Sequence, residues 1–286
     1  MTQVGRVAEI CRYPVKSMGG ESLRECEIGA GGLLGDRTWA VRDEGRGAIE
    51  GARTIPGLLD CNARYLEGAS LGDAPVPQLT LPDGATLRAD EPDAAKRLSE
   101  ALGLDVTLWP RLPASDLDHY RRAPLDPSRA REQIREMFAR EPDEPMPDLS
   151  QFPPELMQFA TMPGTYFDAY PMLVLTDRSL STLAKASPDS KMDARRFRPN
   201  LLIESSEDAP YPEFEWTGRR VRVGGAVIRI ESPAPRCRIP TLGFADLPKD
   251  PLIMRALVRE TQGNLGSYAS VEEAGMVRTG DPVELL

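Results

Sequence analysis

Ten of the chain's 27 prolines fall between Pro110 and Thr165, amid dense charge. Proline has no backbone N–H for a sheet ladder and clashes inside a helix, so a stretch of this density cannot be core for long. It divides the 286 residues into three parts: a unit over 1–110, a charged linker or lid over 111–165, and a second unit over 166–286. Each flanking unit is long enough to bury a core of its own.

Both units read as β. Val4 to Tyr13 alternates, with Val7, Cys11 and Tyr13 on one face and Arg6 and Arg12 on the other. A strand from Leu23 to Ile28 leads into Gly29-Ala-Gly-Gly-Leu-Leu-Gly-Asp36, which lacks a following Gly-Lys-Ser/Thr and opens no helix; it reads as a tight turn into a strand at Arg37–Arg42. Short strand candidates follow at 62–66, 78–81, 85–89 and 104–109, with one helix between Pro92 and Gly103. After Pro171 come a strand at 172–175, a helix capped by Thr176 or Asp177, a strand at 201–204 and a hairpin over Val221–Ile230 turned by Gly224-Gly225. A helix begins at Asp250-Pro251, and three more strands complete the chain. Evenly spaced short strands predict a mainly β (α+β) protein: two β-barrel-like units with a few flanking helices. In the proline-rich stretch, Ser128 is the expected cap of a helix to Arg140 whose face of Ala130, Ile134, Met137 and Phe138 packs down on the protein.

The formal charge of −9 and pI near 4.9 are wrong for nucleic-acid or anionic-membrane binding, so any basic site must be a local concentration. Cys11, Cys26, Cys61 and Cys237 form no C-x-x-C pair, which argues against structural zinc, an iron–sulfur cluster or a disulfide framework and points to a reducing cytoplasm. The N-terminus reads directly into a strand, with neither a signal peptide nor a membrane span. The sole histidine, His119, reads as a surface residue, and a catalytic triad is excluded as a reading.

Four short stretches carry candidate chemistry. Ser232-Pro-Ala-Pro-Arg-Cys-Arg-Ile-Pro-Thr241 places Cys237 between two arginines, which favour a thiolate, and among prolines that lower the entropic cost of holding it. From these ten residues alone, a small buried hydrophobe in a proline-rich turn is an equal reading. Lys16-Ser17, at the tip of the first strand, pairs a cation with a hydroxyl, as a phosphate oxygen requires, although such pairs are mostly just solvated. Arg37 opens a strand, and Arg195-Arg-Phe-Arg198 puts three arginines in four positions, either an anion site or a solvated loop.

Taken together, Tyr13-Pro-Val-Lys-Ser17, Gly35-Asp-Arg37 with Trp39, Arg196-Phe-Arg-Pro-Asn200, Pro235-Arg-Cys237 and Gly266-Ser-Tyr268 through Gly280-Asp-Pro282 resemble, in order, the MOSC family with its N-terminal β-barrel domain. Within it they are similar to the mitochondrial amidoxime reducing components and their bacterial counterparts, molybdenum-cofactor enzymes that reduce N-hydroxylated compounds. The resemblance implies a molybdenum–molybdopterin cofactor with Cys237 as metal ligand and catalytic residue. It implies cofactor contacts at Lys16, Ser17, Arg37, Arg198, Asn200, Pro235 and Arg236, and no pyridoxal phosphate. A soft thiolate suits molybdenum, and clustered cations suit the pterin phosphate. It also implies a small-molecule substrate and a separate electron-donor protein of ferredoxin or flavin-reductase type, because no cysteine-rich ferredoxin domain follows Leu286. One departure stands out: where relatives continue with Thr-x-Asp-Pro after the cysteine, this chain has Thr241-Leu-Gly-Phe-Ala-Asp-Leu-Pro248. Two other functions compete, a sulfur carrier or sulfurtransferase with a persulfide on Cys237, and a binding module without cofactor, against which the full set of matched cations stands.

Overall fold

A computed structural model of the chain describes residues 1–66, 75–124, 126–150, 152 and 158–286. Its largest sheet closes on itself through seven strands, in the order Thr2–Arg12, Leu201–Ser205, Met172–Thr176, Asn264–Glu273, Ala226–Pro235, Arg220–Val223 and Pro282–Leu285, the last pairing back onto Thr2–Arg12. Closure satisfies the backbone donors and acceptors that an open sheet would leave at its edges. Alternating β-branched residues fill the interior, among them Val7, Ile10, Val174, Ile203, Val221, Ile228 and Val283. Each such side chain contributes roughly 1.5–3 kcal/mol on full burial. The strands Met172–Thr176 and Leu201–Ser205 are parallel, so the chain must cross over between them, and the helix Asp177–Ala186 makes the crossing with Thr176 as its cap.

Six barrel strands come from the second unit, but the seventh is the N-terminal strand of the chain. Gly5 permits this closeness: a Cβ there would lie 2.4 Å from the Glu204 carbonyl oxygen. A three-stranded sheet also mixes the chain ends, pairing Glu25–Gly29 with Gly275–Arg278 and with Gly32–Leu33. The stretch read as one strand from Leu23 to Ile28 is therefore broken, since Glu21–Leu23 pairs with the first strand instead. The rest of the first unit is two three-stranded sheets, one of Ala48–Glu50, Trp39–Asp43 and Val106–Pro110 and one of Asn62–Arg64, Gln78–Thr80 and Thr86–Arg88. They share a core of Val15, Val41, Leu58, Leu79 and Leu98, the last from the helix Ala94–Leu102, which Gly103 ends in the left-handed conformation.

Four local expectations change. Alternation puts Arg6 and Arg12 on one outward face, but a register shift between Val7 and Glu9 turns Arg12 inward, where it pairs with Glu21 at 2.9 Å. His119 is not a surface residue: it is buried, with Nε2 2.7 Å from the Tyr166 hydroxyl, because the proline-rich stretch folds back over Tyr120 and Tyr166. Ser128 does not cap the helix, which spans Ala130–Met137 and follows Arg129; the serine hydroxyl donates to Asp126 instead. Finally, Ile134, Met137 and Phe138 line a cavity.

Candidate functional site

The cavity, of about 520 Å³, lies where the two units and the proline-rich stretch meet. That is within the usual range for a small-molecule or cofactor site. All eight residues singled out in the sequence line it: Lys16, Ser17, Arg37, Arg198, Asn200, Pro235, Arg236 and Cys237. Among the described residues its charged lining is lopsided, with Lys16, Arg37, Arg53, Arg122, Arg198 and Arg236 against the single carboxylate of Asp168, in a chain of net charge −9.

Tight local geometry delivers these side chains. After the first strand, Tyr13 N donates to Asp36 Oδ1 at 2.7 Å and Arg37 N donates to the Tyr13 carbonyl at 2.8 Å, so the Lys16 and Arg37 turns are laced together. Ser17, Arg37 and Arg198 all adopt positive φ, +68°, +49° and +58°. This left-handed conformation costs a non-glycine residue roughly 1–2 kcal/mol. Lys16 Nζ donates to Asp168 Oδ1 at 2.6 Å and to the Tyr166 carbonyl at 3.2 Å. Burial pushes the Lys16 pKa down, partly countered by Asp168; burial alone would raise the Asp168 carboxyl, but Lys16 and Arg53 hold it well below the usual carboxylate range.

Arg198 lies over the Tyr13 ring, 4.2 Å from its centroid, and donates through Nη1 to the Met18 carbonyl at 2.6 Å. Burial pushes its pKa down to about 10. Arg236 follows the long strand Ala226–Pro235; its backbone N–H donates to Gly263 at 2.8 Å and Nη2 to the Phe197 carbonyl at 2.7 Å. The next residue, Cys237, is half-buried against Ala52, Leu59, Ile239 and Leu242, a cluster that joins the two units. Among the described residues, the buried Arg198 Nη2 and Arg236 Nε on the cavity wall have no hydrogen-bond partner.

Two expectations resolve differently at the level of atoms. The Arg195-Arg196-Phe197-Arg198 run is three separate devices. Arg195 faces out to Asp193 and Asp246, and Arg196 is wholly buried with its guanidinium on the carbonyls of Lys191, Pro240, Leu242 and Pro248. Only Arg198 reaches the cavity. Asn200 lines the cavity, but its amide braces the backbone: Oδ1 accepts from Leu173 N at 3.1 Å and Nδ2 donates to the Cys11 carbonyl at 3.3 Å. Sequence reasoning missed Arg53, Arg122, Asp168, Phe152, Tyr170 and Tyr268. An isolated arginine or aspartate carries no local pattern, and only its convergence with other charges marks it.

Among the described residues, no three His, Cys, Asp or Glu side chains converge as a metal cage, and no helix is long and apolar enough to cross a membrane.

Comparison with known proteins accords with this arrangement. The MOSC domain profile matches residues 162–284 and the MOSC N-terminal beta barrel domain profile matches residues 4–104. Mouse "Mitochondrial amidoxime-reducing component 1" is 29% identical over 100% of this chain and 84% of its own length. Human "Mitochondrial amidoxime reducing component 2" is 28% identical over 99% of this chain and 84% of its own. Rice "Molybdenum cofactor sulfurase" is 25% identical over 88% of this chain but only 31% of its own length. With both profiles matched in order and full-length similarity to amidoxime reducing components, the chain belongs to the MOSC family, its MOSC domain preceded by a MOSC N-terminal β-barrel domain.

Proposed function

We propose that the chain is a molybdenum-cofactor-dependent reductase of N-hydroxylated or N-oxide-type small molecules. The observation that carries this is the pair of orphaned donors, Arg198 Nη2 and Arg236 Nε, buried in a cationic cavity beside Cys237. An unpaired buried donor costs roughly 1–3 kcal/mol, more when charged, so the cavity calls for an anion with several acceptor oxygens. A pterin phosphate is such a group, and the residues fit it. Lys16, Ser17, Arg37, Arg53 and Arg198 would hold the phosphate end, and Arg236, Pro235 and Cys237 the metal end.

Bound there, the cofactor supplies two-electron chemistry at a metal for which a thiolate is a fitting soft ligand. The chain's own contribution is position and charge. Arg198 and Arg37 are clamped over Tyr13, so they bind without reorganising. Asp168 keeps Lys16 charged in a buried setting. In the overall reaction the N–O bond breaks, the oxygen leaves as water, and two electrons and two protons are consumed. The electrons come from a separate donor protein, of ferredoxin or flavin-reductase type, and the protein works in the cytoplasm.

The likeness to a cofactor sulfurase supports a second reading, in which Cys237 carries a persulfide. Elemental analysis separates the two. Protein made in a host with an intact cofactor pathway should contain about one molybdenum per chain, as one soft-ligand site implies, and Cys237→Ala should abolish reduction of an amidoxime by an artificial electron donor. Near-zero metal, with sulfur released from Cys237 by a reductant, would favour the carrier.

A further inference from the structure

Arg196 has no part in the chemistry proposed above, yet it is committed to the loop that carries Cys237. It is wholly buried, and its guanidinium spends four of its five N–H groups on four carbonyls. Nε donates to Lys191 at 3.0 Å, Nη1 to Pro240 and to Leu242 at 3.0 Å each, and Nη2 to Pro248 at 2.8 Å. Burial disfavours the charge and pushes its pKa down, and the four carbonyls offset that cost. Three of them belong to the stretch that follows Cys237. That stretch lies in no strand and contains Pro240 and Pro248, which have no N–H, so its inward carbonyls need donors from elsewhere. The two residues after Arg196 reach the rest of the site. Phe197 is fixed in a core with Leu183, Leu257 and Leu265, and its carbonyl accepts from Arg236 Nη2 at 2.7 Å. Arg198 turns into the cavity at φ +58°. Three consecutive residues therefore hold the loop after the thiol, the arginine before it and the anion clamp.

Resting on the reductase reading, we infer that Arg196 is a positioning residue for Cys237: it fixes the loop behind the thiol, so that the sulfur stands at a set distance from the anion clamp before any ligand binds. Arg196 acts only through that loop. The backbone is that of a loop held on both sides. Arg236 N donates to the Gly263 carbonyl at 2.8 Å and Arg238 N to the Met137 carbonyl at 2.9 Å, which frames Cys237. Beyond it, Thr241 N, Leu242 N and Asp250 N donate to the carbonyls of Arg238, Ile239 and Thr241 at 3.0, 3.0 and 2.9 Å. A thiolate held in this way need not reorganise when it takes up its partner. Lysine cannot stand in for Arg196, because an ammonium has three donors for four carbonyls and no planar fork.

The test uses Arg196→Lys and Arg196→Gln, and its first readout needs no cofactor. In cofactor-free protein, alkylation of each cysteine by iodoacetamide is followed by peptide mass spectrometry, with Cys11, also half-buried but on the N-terminal strand, as the internal reference. The ratio of the Cys237 rate to the Cys11 rate should rise about threefold or more in both variants, because the loop opens locally more often. A general loosening of the fold would move both rates together. In loaded protein reducing an amidoxime, kcat should fall about ten- to a hundredfold, the scale of a misplacement of about 1 Å, with KM and pterin content near wild type. Hydrogen exchange on the unsubstituted, cofactor-free protein makes the test independent of whether the variants fold. The amides of Thr241, Leu242 and Asp250 should exchange as slowly as those of the strand Ala226–Pro235, and exchange at the rate of an unstructured loop would overturn the proposal. An unchanged cysteine ratio in a folded variant would overturn it too, and wild-type turnover would then leave the reductase reading intact. A raised ratio in a protein whose wild type holds no metal and reduces nothing would do the reverse, keeping Arg196 as the holder of Cys237 and removing the reductase reading.

Discussion

At the scale of single residues, strained and desolvated groups gather on the wall of the cavity. Among the described residues six non-glycines have positive φ, and three of them line the cavity; such strain gathers where a fold fixes a ligand clamp. Removing a clamp and removing the sulfur should fail differently. Arg198→Ala deletes a charge-assisted contact worth roughly 1.5–3 kcal/mol, so bound pterin should fall about ten- to a hundredfold in affinity. Cys237→Ala should keep most of its pterin and lose its metal chemistry. Pterin fluorescence after acid oxidation measures both, and equal pterin loss in the two variants would dissolve the distinction. Asp168 offers a pH test. Burial lowers the Lys16 pKa and the Asp168 carboxylate draws it back up, so Asp168→Asn must let Lys16 deprotonate at lower pH. Pterin retention, titrated upward from neutral pH, should then break earlier in the variant than in the wild type; superimposable curves would remove Lys16 from the anion site.

At the scale of elements, the proline-rich stretch proves to be a wall and not merely a connection. Its helix Ala130–Met137 is tied to the cysteine loop by Arg238 N donating to the Met137 carbonyl at 2.9 Å. Arg255, on the helix Leu252–Thr261, holds the residues just beyond that helix: Nη1 pairs with Glu144 at 2.7 Å and Glu141 at 3.2 Å, and Nη2 donates to the Ala139 carbonyl. Arg140 adds a contact to the Gln262 carbonyl at 3.2 Å. Arg255 is thus the main tie of a segment with few apolar anchors of its own, and segments of that kind open locally at low cost. Arg255→Ala should therefore raise the rate of limited proteolysis between residues 130 and 150 several-fold, with the global melting temperature nearly unchanged. An unaltered cleavage pattern would mean that the apolar contacts of Phe138 and its neighbours suffice.

At the scale of the whole molecule, the family's two domains are not independent sheets. The N-terminal strand lies between Leu201–Ser205 and Pro282–Leu285, and its Val7 and Ile10 are in the barrel core. A fragment of residues 166–286 would lack the seventh stave, exposing two strand edges and a line of apolar side chains. We expect that fragment to show no cooperative unfolding transition, and the full chain to show one. Within the full chain, Ile10→Ala should cost about 2–5 kcal/mol, as buried large-to-small changes do, and chemical denaturation measures it. Independent folding of the fragment would show that the shared strand is dispensable.

Much of this was legible in the sequence because it depends on local rules. Periodicity and turn chemistry located the strands at 172–175 and 201–204, the Gly224-Gly225 hairpin and the helix ended by Gly103, each within a few residues of its place. The eight candidate residues could be picked out for a different reason: they sit in short motifs that resemble a family's in order along the chain, and all eight line the cavity. Convergence was not legible. Arg53 and Asp168 are ordinary residues until folding brings them to Lys16, and Arg195, Arg196 and Arg198 look alike until the backbone sends one to solvent, one to four carbonyls and one to the cavity. The same holds for Arg12, whose burial follows from one extra residue in a ladder. Sequence by itself determined most of the strand-forming segments and which residue types could hold an anion and a soft metal, since those follow from side-chain chemistry and spacing. Only the tertiary structure decided which strand closes the barrel and which cations share a cavity, because both depend on contacts between residues far apart along the chain, whose desolvation and geometry no local pattern encodes.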